Sequence, residues 1–402
     1  MVLVLSRRRL SYNHFFVNKG IIALKQRILI LGHNAATQFI DIYNQYTRLF
    51  DTNKFIVTVA YLTGAPDQKV IARTLAEEVL FLNIPKKKLR TLKIGAIKQL
   101  LALCREKNFH IVICHRYKPT YIMLWVSQFH RIPACLFVMH ELKTMSSIGR
   151  RCLMALLFRK NMLLAGVSCA VRDDMRKNLW FISQDRMITL YNMIDIALTE
   201  PLFLSKTEAR NQLQLPHDAF IFGHIARLVP NKDQHTLIQA FARIKKSLHN
   251  TKLIIIGNGQ LETQLKEEVN QLGLQEDILF TGYLTQAFRY MKAFDCFVLS
   301  SVQEAFGRVL LEAMIAKLPI IATRTHGIPE VLGNSGMIVN PSNPMQLADA
   351  MLKHYHMSHH DLIEYGQKAY QHTLNHFSIP CFQKEFWQLP LIANLKKITR
   401  TL

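Results

Sequence analysis

The feature that most restricts the fold is a recurrence. Short apolar runs rich in β-branched residues return along the whole chain, separated by longer segments with helical spacing. Such runs read as buried strands, and strands alternating with helices build parallel sheets. In the first half they fall at residues 27–32, 54–62, 110–116, 134–140, 163–169 and 187–193; in the second at 220–227, 252–257, 277–283, 296–301, 319–325 and, more weakly, 336–340. The fold class predicted is α/β, with two Rossmann-like doubly wound domains facing a cleft. A chain of 402 residues is long enough for two cores. The boundaries predicted are 1–196 for the first domain, 197–376 for the second and 377–402 for a tail that crosses back to the first. The polar stretch 197–217, with Pro201 and Pro216, reads as the linker.

Charge is unevenly placed. The formal net charge is +22, and residues 1–200 hold 30 Lys plus Arg against 12 Asp plus Glu, whereas residues 201–402 hold 20 against 16. A field of this sign concentrates anionic partners such as phospholipid headgroups, phosphorylated glycans or nucleic acid, and does not choose among them. The seven cysteines are scattered and never in C-x-x-C spacing, which argues against a disulfide framework or a zinc site and fits a reducing cytosol. Neither a secretory signal nor an apolar run of transmembrane length is read, so any membrane contact is expected to be peripheral.

Ligands of doubly wound sheets sit beyond the carboxyl ends of the strands. After residues 296–301 comes SVQEAFGRVLLEAM, where Ala305, Phe306, Gly307 and Arg308 mark a helix start whose free N–H groups can hold a phosphate. Glu304 and Glu312, read as roughly 12 Å apart along one element at about 1.5 Å per residue, suit two sugar diols; the alternative is a pair of ordinary helix glutamates. In IARLVPNKDQHTLIQAF, Arg227 ends a strand and Lys232 opens the next helix. Two cations there would neutralise a leaving diphosphate without a metal, the alternative being a solvated loop pair. No D-x-D occurs, so neither a divalent metal nor a cofactor is expected.

The motifs RLVPNKD, LIIIGNG, ILFTGYL, EAFGRVLLEAM, LPIIAT, HGIPEVL and GMIVNPSNP follow one another from Phe222 to about Ala350. Together they resemble the donor-binding domain of retaining glycosyltransferases of family 4, which have the GT-B fold. The resemblance implies that Arg227 and Lys232 contact the donor diphosphate, that Glu304 faces the transferred sugar, and that Glu312 holds the ribose hydroxyls. It also implies that backbone near Gly257, Gly259 and Tyr283 surrounds the base, and that the leaving phosphate takes the acceptor's proton. In the first half, His140 in MHELK matches a family histidine near the reacting sugar; a structural histidine is the alternative. Asn192 and Asp195 match a family turn and are expected to be structural. The loop GHNAAT keeps only Gly32 where the family has paired glycines, and His326 replaces the commoner glycine before Gly327.

Residues 86–107 and 150–160 read as Rossmann-type helices with Leu89, Leu92, Ala96, Leu100 and Cys104 on the inner face of the first and cations elsewhere. Their cationic flanks would rest on anionic lipid. The histidine-rich run 354–360 lacks an evident acidic pair and is not read as a metal site. The expectation is a cytoplasmic, peripherally membrane-bound glycosyltransferase. Its donor would be a nucleotide-diphosphate sugar and its acceptor a glycan or glycolipid of lipopolysaccharide, capsule or other cell-surface assembly, with no nucleic acid partner. The rivals are a nucleotide-sugar epimerase of the same fold and a basic nucleic-acid-binding protein.

Overall fold

The structure, a computed structural model, describes residues 5–6, 25–90 and 92–393. Its contacts divide the chain into two units, residues up to Tyr191 together with those from Phe382 on, and Asn192–Cys381.

The first unit carries β1 (Leu5–Ser6), β2 (Gln26–Gly32), β3 (Phe55–Tyr61), β4 (Glu78–Phe81), β5 (Ile111–His115), β6 (Ala134–Met139), β7 (Met162–Gly166) and β8 (Met187–Thr189). They form one sheet in the order β1-β4-β3-β2-β5-β6-β7-β8, parallel except for β1 against β4. Every residue of β5, β6 and β7 is buried. Helices cover both faces of a parallel sheet, which is why these runs are continuously apolar rather than alternating. The chain winds outward from β2 to β4 on one side and from β5 to β8 on the other. The order therefore reverses between β2 and β5, the position where such sheets bind ligands. From Phe382 on, the helix Ile379–Gln388 packs on this unit: Phe382 meets the edge of Tyr46, Phe386 and Trp387 meet Phe50, and Trp387 Nε1 donates to the Leu49 carbonyl at 3.2 Å.

The second unit carries β9 (Phe220–Ile225), β10 (Thr251–Ile256), β11 (Ile278–Gly282), β12 (Cys296–Leu299), β13 (Ile320–Thr323) and β14 (Met337–Val339), in the order β11-β10-β9-β12-β13-β14 and all parallel. Its core joins Phe222, Leu253, Ile255 and Val298 to Leu237, Phe241 and Ile244 of the helix Gln234–Lys245. Here the order reverses between β9 and β12.

Four expectations need correction. The strand β4 was not read, because EVLF offers only three apolar residues; its Glu78 is held by Lys107 at 3.1 Å and by Thr58 at 2.8 Å, partners that the sequence does not bring near. The strand expected over 187–193 stops at Thr189. The stretch read as a linker is folded: Asp195 caps the helix Ile196–Thr199, Ser205 and Glu208 form a capping box on the helix Lys206–Gln212, and the buried Arg210 binds Asp295 at 2.7 Å and the carbonyls of Ala293 and His217. The run 86–107 is not one helix. A 3-10 turn spans Lys86–Leu89, Lys93 sits in a left-handed conformation, the helix proper is Ile94–Lys107, and Leu92 is exposed rather than inward.

Candidate functional site

In the second unit every sequence-predicted donor residue lies on a loop that leaves the carboxyl end of a strand, or on the helix that such a loop opens. Arg227 and Lys232 follow β9, Gly257 and Gly259 follow β10, Tyr283 follows β11, and Glu304 to Arg308 follow β12. Lys232 and Glu304, on the loops that follow the two strands flanking the switch point, form an ion pair with side chains 14% and 15% exposed. Ser301 Oγ donates to the same carboxylate at 3.3 Å, and Ser300 Oγ donates to the Lys232 carbonyl at 2.9 Å. The pair therefore holds an ammonium and a carboxylate side by side, one able to meet a phosphate and the other able to accept from sugar hydroxyls.

The loops are locked to each other through backbone. A Cβ on Gly257 would collide with the Ala226 carbonyl oxygen, and one on Gly259 with that of Leu228. Leu228 N donates to the Asn258 carbonyl at 2.9 Å. Gly327 N donates to the Glu304 carbonyl at 3.1 Å, and a side chain at 327 would strike the Ala305 carbonyl. Gly307, with φ of 86°, is the N-cap of the helix Arg308–Ile315. Glu304 thus belongs to the loop and Glu312 to the helix, so the two carboxylates do not stand on a single element, contrary to expectation. The Phe306 ring is buried edge-on to Phe377, which leaves only its backbone for a ligand. Arg227 and Tyr283 are exposed.

Two residues that sequence reading passed over stand beneath this site. His224 is fully buried on β9; its Nδ1 donates to the Val298 carbonyl at 2.9 Å, and burial, with Lys232 nearby, lowers its pKa to about 4. The ring is therefore neutral, and its Nε2 accepts from Gln234 Nε2 at 3.2 Å, an amide that also donates to the Arg227 carbonyl at 3.0 Å. This chain of bonds fixes the backbone that carries Arg227. The signal was present as a histidine inside a strand run, read only as apolar.

In the first unit a cavity of about 750 Å³ opens at the carboxyl ends of β2, β5 and β6. His33 and Asn34 line it after β2, Arg116 and Lys118 after β5, and His140, Glu141 and Lys143 after β6, while Lys86, Arg90, Lys93 and Arg150 close its sides. Arg116 binds Glu141 at 2.9 Å. Burial, together with Lys118, Arg116 and Lys86, lowers the His33 pKa to about 4. The expected His140 is thus in the cavity wall, and its Nε2 lies 3.0 Å from Nδ1 of His115, a fully buried ring kept neutral by burial and packed against Tyr43 and Tyr46. His115 ends β5 and was open to the same carboxyl-end reasoning that found His140. Gly32 is explained by packing, since a Cβ there would enter the ring of Tyr43. The histidine-rich run also differs from expectation: His360, Asp361 and Glu364, all exposed, bring ligand atoms within 4.8 Å of one another, so an acidic pair does accompany it.

Comparison with known proteins agrees with the fold. A glycosyltransferase from Rickettsia africae ESF-5 superimposes with a TM-score of 0.79 at 17% identity, over 92% of this chain and 99% of that one. Anabaena HepE, solved in complex with UDP and glucose, does so with a TM-score of 0.72 at 19% identity, over 90% of this chain and 98% of that one. The two units define the class: the fold is GT-B. Residues 205–369 match the family described as glycosyl transferases group 1. Among curated relatives, the N-acetylgalactosamine-N,N'-diacetylbacillosaminyl-diphospho-undecaprenol 4-alpha-N-acetylgalactosaminyltransferase of Campylobacter jejuni is 28% identical over 251 residues, 60% of this chain and 66% of that protein. The chain spans between 26% and 66% of the length of the first curated relatives it matches.

Proposed function

We propose that the protein transfers a sugar from a nucleotide-diphosphate donor to a hydroxyl of a lipid-linked glycan, with retention of configuration and without a metal. The observation that carries the reading is the Lys232–Glu304 pair at the switch point between β9 and β12, beside the Gly307 helix start. A diphosphate needs cations and backbone N–H groups, and a sugar needs an acceptor for its hydroxyls; both sets sit on adjoining loops. In the reaction Lys232 and Arg227 neutralise the departing diphosphate, which is electrostatic stabilisation of charge as it develops. Glu304 holds the sugar through its hydroxyls, and the leaving phosphate accepts the proton of the attacking hydroxyl. Glu312 holds the ribose, and backbone at Gly257 and Gly259 borders the base. His140 faces the acceptor side.

UDP in the HepE structures supports a uridine nucleotide, and the diphospho-undecaprenol named for the Campylobacter relative supports a lipid-linked acceptor. No helix among the described residues is long and apolar enough to cross a membrane. The basic first unit supports placing the enzyme on the cytoplasmic membrane surface. The test is product analysis with labelled donor. Glycolipid formed only when acceptor is present, and lost in Glu304→Ala while nucleotide affinity persists, is the expected result. Sugar altered and released without acceptor would replace the reading with an epimerase.

A further inference from the structure

The cavity of the first unit has an electrostatic composition that its own fold does not balance. Lys86, Arg90, Lys118, Lys143 and Arg150 line it with no carboxylate within ion-pair distance among the described residues, and Glu141, the acidic residue in the wall, is already taken by Arg116. Like charges gathered around one cavity repel and cost stability, so the arrangement asks for a multivalent anion. The backbone is also bent to aim these groups. In the described part of the first unit the non-glycine residues with positive φ are Asn83 and Asn108, of a type that tolerates it, and three cavity cations, Lys93 (60°), Arg116 (73°) and Lys143 (58°). Side chains held on strained backbone in this way cluster at ligand sites.

A second, independent feature adjoins the first. The ammonium of Lys93 lies 4.0 Å over the Tyr121 ring and the Arg150 guanidinium 4.3 Å over that of Tyr117, with the two rings 6.2 Å apart on the first turns of the helix Tyr117–Phe129. The segments bearing Lys93 and Arg150 therefore flank the same helix start. Each also presents bare aliphatic side chains: Leu92 is 70% exposed, Ile94 57% and Ile148 75%. A cationic cavity rimmed by exposed aliphatic tips complements a phosphate at the surface of a bilayer, the tips entering the acyl boundary while the cations meet the headgroup.

We infer that this cavity binds the phosphate or diphosphate of the membrane lipid that bears the acceptor, with Leu92, Ile94 and Ile148 seated in the bilayer. The inference rests on the reading of the protein as a transferase to a lipid-linked glycan and deepens it, since it assigns the acceptor's anionic group to named residues. It also separates that group from the donor diphosphate, which has its own cations in the second unit.

The experiment titrates the full-length protein with inorganic pyrophosphate while UDP is saturating, then measures co-sedimentation with phosphatidylcholine vesicles with and without phosphatidic acid. Pyrophosphate is expected to bind, and Lys118→Gln with Arg150→Gln is expected to weaken it at least about tenfold through loss of two charge-assisted contacts, with UDP affinity retained. Vesicle retention is expected to require phosphatidic acid and to fall in Leu92→Ser with Ile148→Ser, whose pyrophosphate affinity stays at the wild-type value. Absence of pyrophosphate binding, its displacement by UDP, or vesicle retention indifferent to the Leu92 and Ile148 changes would overturn the inference. Leu92 and Ile148 are exposed whereas Lys118 and Arg150 are half-buried, and an unchanged thermal transition confirms that each double variant is folded. Failure of pyrophosphate binding with UDP binding intact removes this inference alone; failure of UDP binding with pyrophosphate binding intact removes the transferase reading and leaves the anion site standing.

Discussion

At the switch point of the first unit a crowd of cations faces a single carboxylate, whereas at that of the second unit one lysine and one glutamate answer each other. The two sheets share a topology in which the chain reverses direction beside the strand that opens the unit's parallel sheet, so the same geometric niche arises twice. What differs is how charge fills it. An internally paired ammonium and carboxylate suit a ligand that brings both an anion and hydroxyl donors, as a nucleotide sugar does. An unbalanced cationic wall suits a ligand that is anion alone. The comparison also separates stability from function: the second unit answers Lys232 with Glu304, and the first tolerates repulsion at the place where binding is expected.

The largest effect that would sharpen this contrast is on stability of the second unit. Asp295→Ala leaves Arg210, 1% exposed, without its carboxylate; an uncompensated buried charge costs roughly 3 to 5 kcal/mol. Denaturant unfolding should then show two transitions, the earlier one belonging to the second unit, and a single unshifted transition would contradict the independence of the units. Next comes Lys232→Ala, expected to lower kcat about 100- to 1000-fold, the scale of losing one preorganised group at developing charge. Steady-state kinetics with saturating donor reads it, and an undiminished kcat would break the assignment of diphosphate stabilisation to the second unit.

A smaller effect concerns pH. His224 has its pKa lowered from 6.5 to about 4, so the unfolded chain takes up a proton between those values while the folded one does not. Stability of the second unit is therefore fully present above pH 6.5 and falls as pH drops towards 4, by up to about 3 kcal/mol from this residue. Urea midpoints compared between wild type and His224→Gln across this window test it, and equal slopes would remove the residue as the source. The smallest effect lies in the first unit, where Trp387→Phe deletes the bond to the Leu49 carbonyl at about 1 kcal/mol, measured by thermal melting.

The two sites were unequally legible in the sequence, for a physical reason. In the second unit the candidate residues sit within short stretches of loop and helix start, so residues from Ala305 to Arg308 announce themselves locally. The pairing of Lys232 with Glu304 was not legible, since it depends on β9 lying next to β12. In the first unit the cavity draws on residues from His33 to Arg150 spread over several segments, and no local pattern joins them. The break at Lys93 carries neither glycine nor proline, so a helical reading ran straight through it and placed Leu92 on the inside. The supposed linker illustrates the reverse case: Ser205 and Glu208 spell a capping box that the surrounding polarity and prolines outweighed.

The central claim is that Lys232, paired with Glu304, belongs to a seat for a nucleoside diphosphate. Calorimetric titration of the wild type and Lys232→Ala with UDP, GDP and ADP tests it most directly. The account predicts that at least one of the three binds the wild type and loses roughly tenfold or more in affinity on the substitution. Binding of none of them, or equal binding by both proteins, would contradict it.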